Sequence, residues 1–209
     1  MTLFMSKLMS GIVELLIVSV IPFITWLIWS RKKVGFFDWI GLKKVESQQK
    51  RRLLLTILGI SLLFLLFSIV VFAWFDSQPN GHSSLFSGKG LGAFPAILAY
   101  AILGTALPEE IFFRGFLLKR LQGKLGFLGA NLIQSLLFGL IHAFMFIQLT
   151  GYLKAMAIMA FISLIAYVFG AINEKKASGS ILPSVFIHAL ANTVVGSASC
   201  LLPHLDKTI

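Results

Sequence analysis

The sequence predicts an all-α protein, a polytopic transmembrane helical bundle with about six spanning helices. Of its 209 residues, 57% are hydrophobic and only 12% are charged, and the mean hydropathy is +0.91. A soluble domain of this size is typically about 45–50% apolar and about 25% charged. Such a chain has too little polar surface to cover a core in water, so we expect it to reside in the cell membrane as a multi-pass protein.

Six apolar blocks define the expected helices. Crossing about 30 Å of hydrocarbon takes roughly 20 apolar residues in a helix, and an open strand cannot satisfy its backbone in lipid. The blocks that meet this length are 11–29, 53–74, 91–118, 127–149, 155–173 and 181–202. We therefore divide the chain into an amino-terminal two-helix region with a basic loop (1–90), a helical core (91–202) and a short tail (203–209).

The Lys and Arg residues predict the orientation of these helices. Fourteen of the 18 fall in the first, third and fifth connections, and four fall on the opposite side. Because cytoplasmic loops of membrane proteins carry an excess of Lys and Arg, these three connections are expected in the cytoplasm. Both termini are then expected to be extracytoplasmic.

The formal charge of +10 has two interpretations, a nucleic-acid partner or a membrane surface. The basic residues occur in short runs between apolar blocks, which is typical of membrane loops, so we expect no nucleic-acid binding. In the first connection, the aromatic residues of the stretch 33–42 interrupt such a run. This pattern favours an interfacial segment that binds anionic lipid, with peptide binding as the minority interpretation.

Ionisable residues inside apolar helices indicate function because burying each of them costs free energy. The third block contains two adjacent carboxylates, Glu109 and Glu110, followed by Arg114. Glu110 and Arg114 are i,i+4 neighbours and can pair, whereas Glu109 points about 100° away around the helix. Glu109 is therefore the carboxylate left to act as a general base.

Two later blocks add polar groups at similar depth. His142 follows Phe138 by four residues in the fourth block, and His188 precedes Asn192 by four in the sixth. At 1.5 Å per residue, Glu109 and these three side chains lie about 12–18 Å from the cytoplasmic helix ends, so they can meet. Taken singly, each has an equally good structural interpretation as a hydrogen-bonding group between helices. Together they favour a site, whereas His82 and His204 are expected at the surface.

These residues resemble the three motifs of a known family. Glu-Glu-x-x-x-Arg at 109–114, Phe-x-x-x-His at 138–142 and His-x-x-x-Asn at 188–192 are similar, in the same order, to those of the CPBP family. This is the CAAX-protease and bacteriocin-processing family, also called Abi, of intramembrane endopeptidases. The resemblance covers roughly residues 91–202.

The resemblance implies roles for the motif residues. Glu109 would activate the attacking water with help from His142, while His188 and Asn192 would stabilise the oxyanion. Glu110 and Arg114 would support them. The substrate would be a peptide embedded in or bound to the membrane, processed either in peptide maturation or in self-immunity to bacteriocins.

The sequence leaves open whether a metal takes part. The chain lacks the compact His-Glu-x-x-His spacing of a zinc-binding helix. Either zinc is held by His142, His188 and Glu109, or Glu109 activates water directly. We expect no obligatory cofactor.

Two other classes of function compete with a protease. A non-catalytic membrane protein, such as an immunity or scaffold factor, would keep the motifs only to join helices. A proton-coupled carrier would use Glu109 and the histidines as a relay, but carriers usually show repeat-related halves, and this chain has no such symmetry. The protease is the favoured interpretation and the carrier ranks last.

Overall fold

The protein is a bundle of helices in the parts of the chain that its computed structural model describes, residues 1–75 and 85–201. Eight α-helices follow one another: α1 Leu3–Trp29, α2 Phe36–Trp39, α3 Lys50–Phe75, α4 Phe94–Ala101, α5 Leu107–Glu110, α6 Lys119–Thr150, α7 Tyr152–Lys176 and α8 Leu182–Leu201. A 3₁₀ turn, Leu91–Ala93, precedes α4. No strand occurs among the described residues, which confirms the predicted all-α class.

Three continuous helical stretches are long and apolar enough to cross a membrane. They are Leu3–Trp29, Lys50–Val70 and Leu91–Lys176, and the last runs for 86 residues. Gly126 (φ 67°) and Gly151 (φ 75°) interrupt its helical backbone. The helix α6 thus bends at Gly126, just before the predicted block 127–149, and Gly151 begins the turn into α7. The count of about six spans stays a prediction.

The outer faces of α1 and α3 are apolar and exposed. Leu16 and Ile17 of α1, and Leu62 and Leu66 of α3, are each more than half exposed. A water-soluble protein rarely exposes continuous apolar faces of this kind, whereas a bilayer covers them at no cost. These faces, with the apolar helices behind them, make the chain a membrane protein.

The third apolar block differs from the single regular helix that the sequence predicts. Two π-helical segments, Ile102–Ala106 and Ile111–Leu118, flank the short helix α5. Pro108 accounts for the first of them, because it has no backbone N–H and its ring would clash with the carbonyl one turn earlier. A π turn widens the helix and relieves such a clash, and π segments are frequent at functional sites.

The structure corrects the predicted position of Arg114. We expected Arg114 among the fourteen basic residues of the three connections, yet its side chain is fully buried in the second π segment, inside the bundle. The rest of that connection is helical and begins α6. The reason is local pairing: Glu110, one turn earlier, draws the guanidinium inward instead of leaving it to solvent.

The three basic connections nevertheless lie at one end of the bundle. The Lys119 ammonium donates to Glu174 and to the carbonyl of Gly179, while the Arg120 guanidinium donates to the carbonyl of Trp39. The Ser180 hydroxyl donates to the carbonyl of Lys43. The first, third and fifth connections therefore share a side, as the alternation of helices requires.

The helices α6 and α7 form an antiparallel hairpin with small residues at its seam. An added methyl group on Gly139 would lie 2.6 Å from the carbonyl oxygen of Met159. The buried amides of Asn131 and Gln134 donate to the carbonyls of Tyr167 and Ala166. Close approach of small residues and hydrogen bonds between helices are the main forces that join helices in lipid.

We predict that Gly139→Ala destabilises the protein. The new methyl must push α7 away, and overpacking of this kind costs about 1–3 kcal/mol. Thermal unfolding of the purified protein in detergent measures it. Gly59→Ala, in α3, is the matched control because an added methyl there meets no atom within 4 Å. Equal stability of the two variants would show that the α6–α7 seam is not close-packed.

Candidate active site

A single cavity of about 560 Å³ gathers the polar residues that the sequence singled out. Its walls come from α1, α3 and the helices between α4 and α8, and most of its surface is apolar. Glu109, His142, His188 and Asn192 all line it. Four side chains from three separate apolar blocks therefore share one chamber, as their similar depths predicted.

The two glutamates diverge from one another on α5. The Glu110 side chain is fully buried, whereas the Glu109 side chain is 28% exposed and reaches the cavity. Adjacent residues of a helix point about 100° apart, so one carboxylate can face the cavity while the other faces the protein interior.

Glu110 holds two partners inside the bundle. One carboxylate oxygen, Oε1, lies 3.0 Å from Nη1 of Arg114 and 3.2 Å from Nδ1 of His188. The ion pair predicted from the i,i+4 spacing is thus present. The Arg114 guanidinium also lies over the rings of Phe138, at 4.5 Å, and Phe169, at 5.4 Å. These cation–π contacts replace part of the hydration that a buried guanidinium loses.

His188 lies between the two carboxylates. While Nδ1 contacts Glu110, Nε2 is 3.8 Å from Oε2 of Glu109. An ionised carboxylate only accepts hydrogen bonds, so Nδ1 carries a proton toward Glu110. The distance of 3.8 Å exceeds that of a direct hydrogen bond, and Oε2 of Glu109 has no hydrogen-bond partner among the described residues. The sequence paired Glu109 with His142, and this contact with the second imidazole was not predicted.

His142 is oriented by its own helix. Its Nδ1 is 2.8 Å from the carbonyl oxygen of Phe138, and its ring packs at 4.5 Å from the ring of Phe138. Because a carbonyl only accepts, Nδ1 is the protonated nitrogen and the lone pair of the neutral ring is on Nε2. Phe-x-x-x-His spacing thus provides both a stacking surface and a fixed tautomer.

Thr105 is a site residue that the sequence analysis missed. The Asn192 side-chain N–H donates to Oγ1 of Thr105 at 2.7 Å, and the Thr105 hydroxyl donates to the carbonyl of Ala101 at 2.9 Å. An amide has two N–H groups, so Asn192 keeps a second donor beyond this bond. The available signal was a hydroxyl one turn before the Glu pair in an apolar helix.

Glu14 is a second missed residue, and it lines the cavity from α1. The rule that singled out Glu109, a carboxylate within an apolar spanning helix, applies equally to Glu14. Glu14 was not singled out because it belongs to none of the three motifs. His82 and His204, expected at the surface, lie outside the described residues.

By sequence, the three residues that could hold zinc are His142, His188 and Glu109. Among the described residues, no group of three or more His, Cys, Asp or Glu side chains is arranged to hold a metal ion. One reason is that Glu110 engages His188 through Nδ1, while His142 is turned by Phe138. We therefore assign no step of the chemistry to a metal.

Comparison with known proteins agrees with the motif assignment. A family model described as type II CAAX prenyl endopeptidase Rce1-like matches residues 91–194, the range that contains every one of the cavity's motif residues. Neither the curated proteins nor the solved structures contain a match. Through residues 91–194, the chain belongs to the Rce1-like family of type II CAAX prenyl endopeptidases, which is the CAAX-protease family that its three motifs resemble.

Proposed function

We propose that this protein is an intramembrane endopeptidase that hydrolyses a peptide bond of a membrane-embedded or membrane-bound peptide. Membership of the family implies protease activity. The observation that carries the proposal is the cavity itself, where the motif residues Glu109, His142, His188 and Asn192 converge in a chamber whose walls are mostly apolar. Such convergence of polar groups in an apolar pocket is the usual mark of an active site.

In the first step, Glu109 removes a proton from water with help from His142. The resulting hydroxide attacks the carbonyl carbon, and the electron pair of the C=O bond moves to its oxygen. The electron pair on the oxygen then re-forms the C=O bond as the C–N bond breaks, and Glu109 gives its proton to the leaving nitrogen. This sequence returns Glu109 to its carboxylate form and needs no other reactant.

His188 and Asn192 would stabilise the oxyanion. A protonated His188 has N–H groups on both sides, one toward the Glu110 carboxylate and one toward the cavity. With this cation, the buried group of Glu109, Glu110, Arg114 and His188 has no net charge. Asn192 adds its second N–H, since the first is bound to Thr105. Preorganised donors of this kind are usually the largest single contribution to catalysis.

The proposal extends to the membrane topology, the metal dependence and the biological role of the enzyme. We propose about six spanning helices in the cell membrane, extracytoplasmic termini and a basic cytoplasmic end that contacts anionic lipid. Glu109 would act without an obligatory metal. The reaction would serve peptide maturation or self-immunity to bacteriocins. No nucleic-acid partner is proposed.

We predict that Glu109 and His142 act as one catalytic unit. Glu109→Gln and His142→Ala should each lower kcat by about 10²–10⁴ because each removes a participant in proton transfer. The double variant should be little worse than either single one, as members of one catalytic unit are non-additive. Turnover of one defined peptide by purified variants of matched thermal stability measures this.

Glu46→Gln is the control, since Glu46 is an exposed acid in the first connection. It should turn over as wild type. Near-normal turnover by Glu109→Gln or His142→Ala would contradict the proposal and favour a non-catalytic immunity or scaffold protein, in which these side chains only join helices.

Removal of metal should leave most of the activity. If Glu109 activates water directly, exhaustive chelation followed by dialysis changes turnover less than about twofold, whereas a catalytic zinc is required outright. Metal analysis of the same sample accompanies the assay. Stoichiometric zinc, with activity lost on its removal and restored by its return, would overturn this prediction.

We predict that Thr105 affects turnover by holding the side-chain amide of Asn192. Thr105→Val keeps the shape but removes the hydroxyl that holds the amide, so kcat should fall while KM changes little. The loss should not exceed about 10²–10³, the cost of removing an oxyanion donor itself. Thr105→Ser retains the hydroxyl and should restore turnover. Equal kcat in the Val and Ser variants would separate Thr105 from catalysis.

A further inference from the structure

The helix α1 presents a polar face to the cavity. Lys7, Ser10 and Glu14 all line it, although most of α1 is apolar. Their spacing, i, i+3 and i+7, places them on one side of a helix. The catalytic scheme above uses none of the three.

Close packing fixes how this face is turned. Between Ser10 and Glu14, Gly11 is buried against the first π segment, where an added methyl would lie 2.9 Å from Cβ of Leu103 and 3.0 Å from the backbone nitrogen of Gly104. No larger residue allows this approach. The contact places the Glu14 carboxylate 4.0 Å from where a side chain on Gly104 would begin, and Gly104 immediately precedes Thr105 in the first π segment.

The charged side chains of this face are Glu14 and Lys7. Glu14 lines the same chamber as Glu109, so two carboxylates face one cavity. Unlike Glu110, Glu14 has no ion pair among residues 1–70 and 85–200. Lys7 is the cation of the same face, and its ammonium lies 5.7 Å from the ring centre of Tyr100.

We propose that Glu14 forms a subsite that binds a positively charged side chain, Lys or Arg, of the substrate peptide. This inference rests on the proposed function, because it places that side chain in the cavity while the scissile bond lies at Glu109. A cation there offsets both the cost of a carboxylate in an apolar setting and its repulsion of Glu109. An anionic or purely apolar segment offers neither, so the subsite selects basic peptides.

Binding and turnover test the subsite separately. The probes are apolar peptides of about 20 residues with one Lys moved through successive positions, each paired with a norleucine peptide of similar length and shape. Binding is measured in the Glu109→Gln background, where nothing is cleaved. At one or a few positions the Lys peptide should bind at least about fivefold tighter, and Glu14→Gln should abolish that difference. Glu14→Lys should prefer the peptide with Glu at the same position.

Glu46→Gln in the same background is the control and should keep the preference for Lys. A preference for Lys that survives Glu14→Gln, or no preference at any position, would overturn the subsite. The turnover arm compares Glu46→Gln with wild type on the same probes, where kcat should agree within about twofold. Failure of wild type to cleave any probe that it binds would instead overturn the protease, so the two failures are distinguishable.

Discussion

The contact of Glu110 with Arg114 and His188 is the interaction on which the rest of the site depends. Glu110 and Arg114 are both fully buried, and His188 is 6% exposed. One carboxylate oxygen joins a residue of the second π segment to a residue of α8, elements that are far apart in sequence. Removing one partner of such a buried pair typically costs about 3–5 kcal/mol because it leaves an uncompensated charge. The orientation of His188, and with it one wall of the cavity, follows from this contact.

A second constraint is the shape of the helix that carries the glutamates. A regular helix through Pro108 would lose a hydrogen bond and force the ring against a carbonyl. The first π segment, just before Pro108, relieves this conflict and carries Thr105, which accepts a hydrogen bond from Asn192. The same irregularity that Pro108 requires thus carries the hydroxyl that holds the proposed catalytic amide. An irregular backbone at membrane depth is stable only where neighbouring helices cover it, as α1 and α8 do here.

The apolar walls of the cavity strengthen the electrostatic interactions of its polar groups. Rings of Phe64, Phe138 and Phe169 lie 6.3–6.4 Å from the ring of His188. Beside such apolar walls, charges interact through a lower effective dielectric than in water, so each hydrogen bond and each charge counts for more than in solution. An apolar cavity with a charged edge suits a peptide that is mostly hydrophobic and carries a single charge.

The sequence by itself determined the membrane class, the all-helical fold, the three family motifs and the pairing of Glu110 with Arg114. All of these depend on local composition or on spacing within one helix, where hydropathy and i,i+4 geometry suffice. Only the tertiary structure decided that Arg114 is buried, that His188 lies between two carboxylates, and that Thr105 and Glu14 belong to the same cavity. These facts depend on which helix faces meet, and that is set by close contacts such as Gly11 on Leu103 and Gly139 on Met159. A helical periodicity shows that a residue lies on a face, but it does not show what that face packs against.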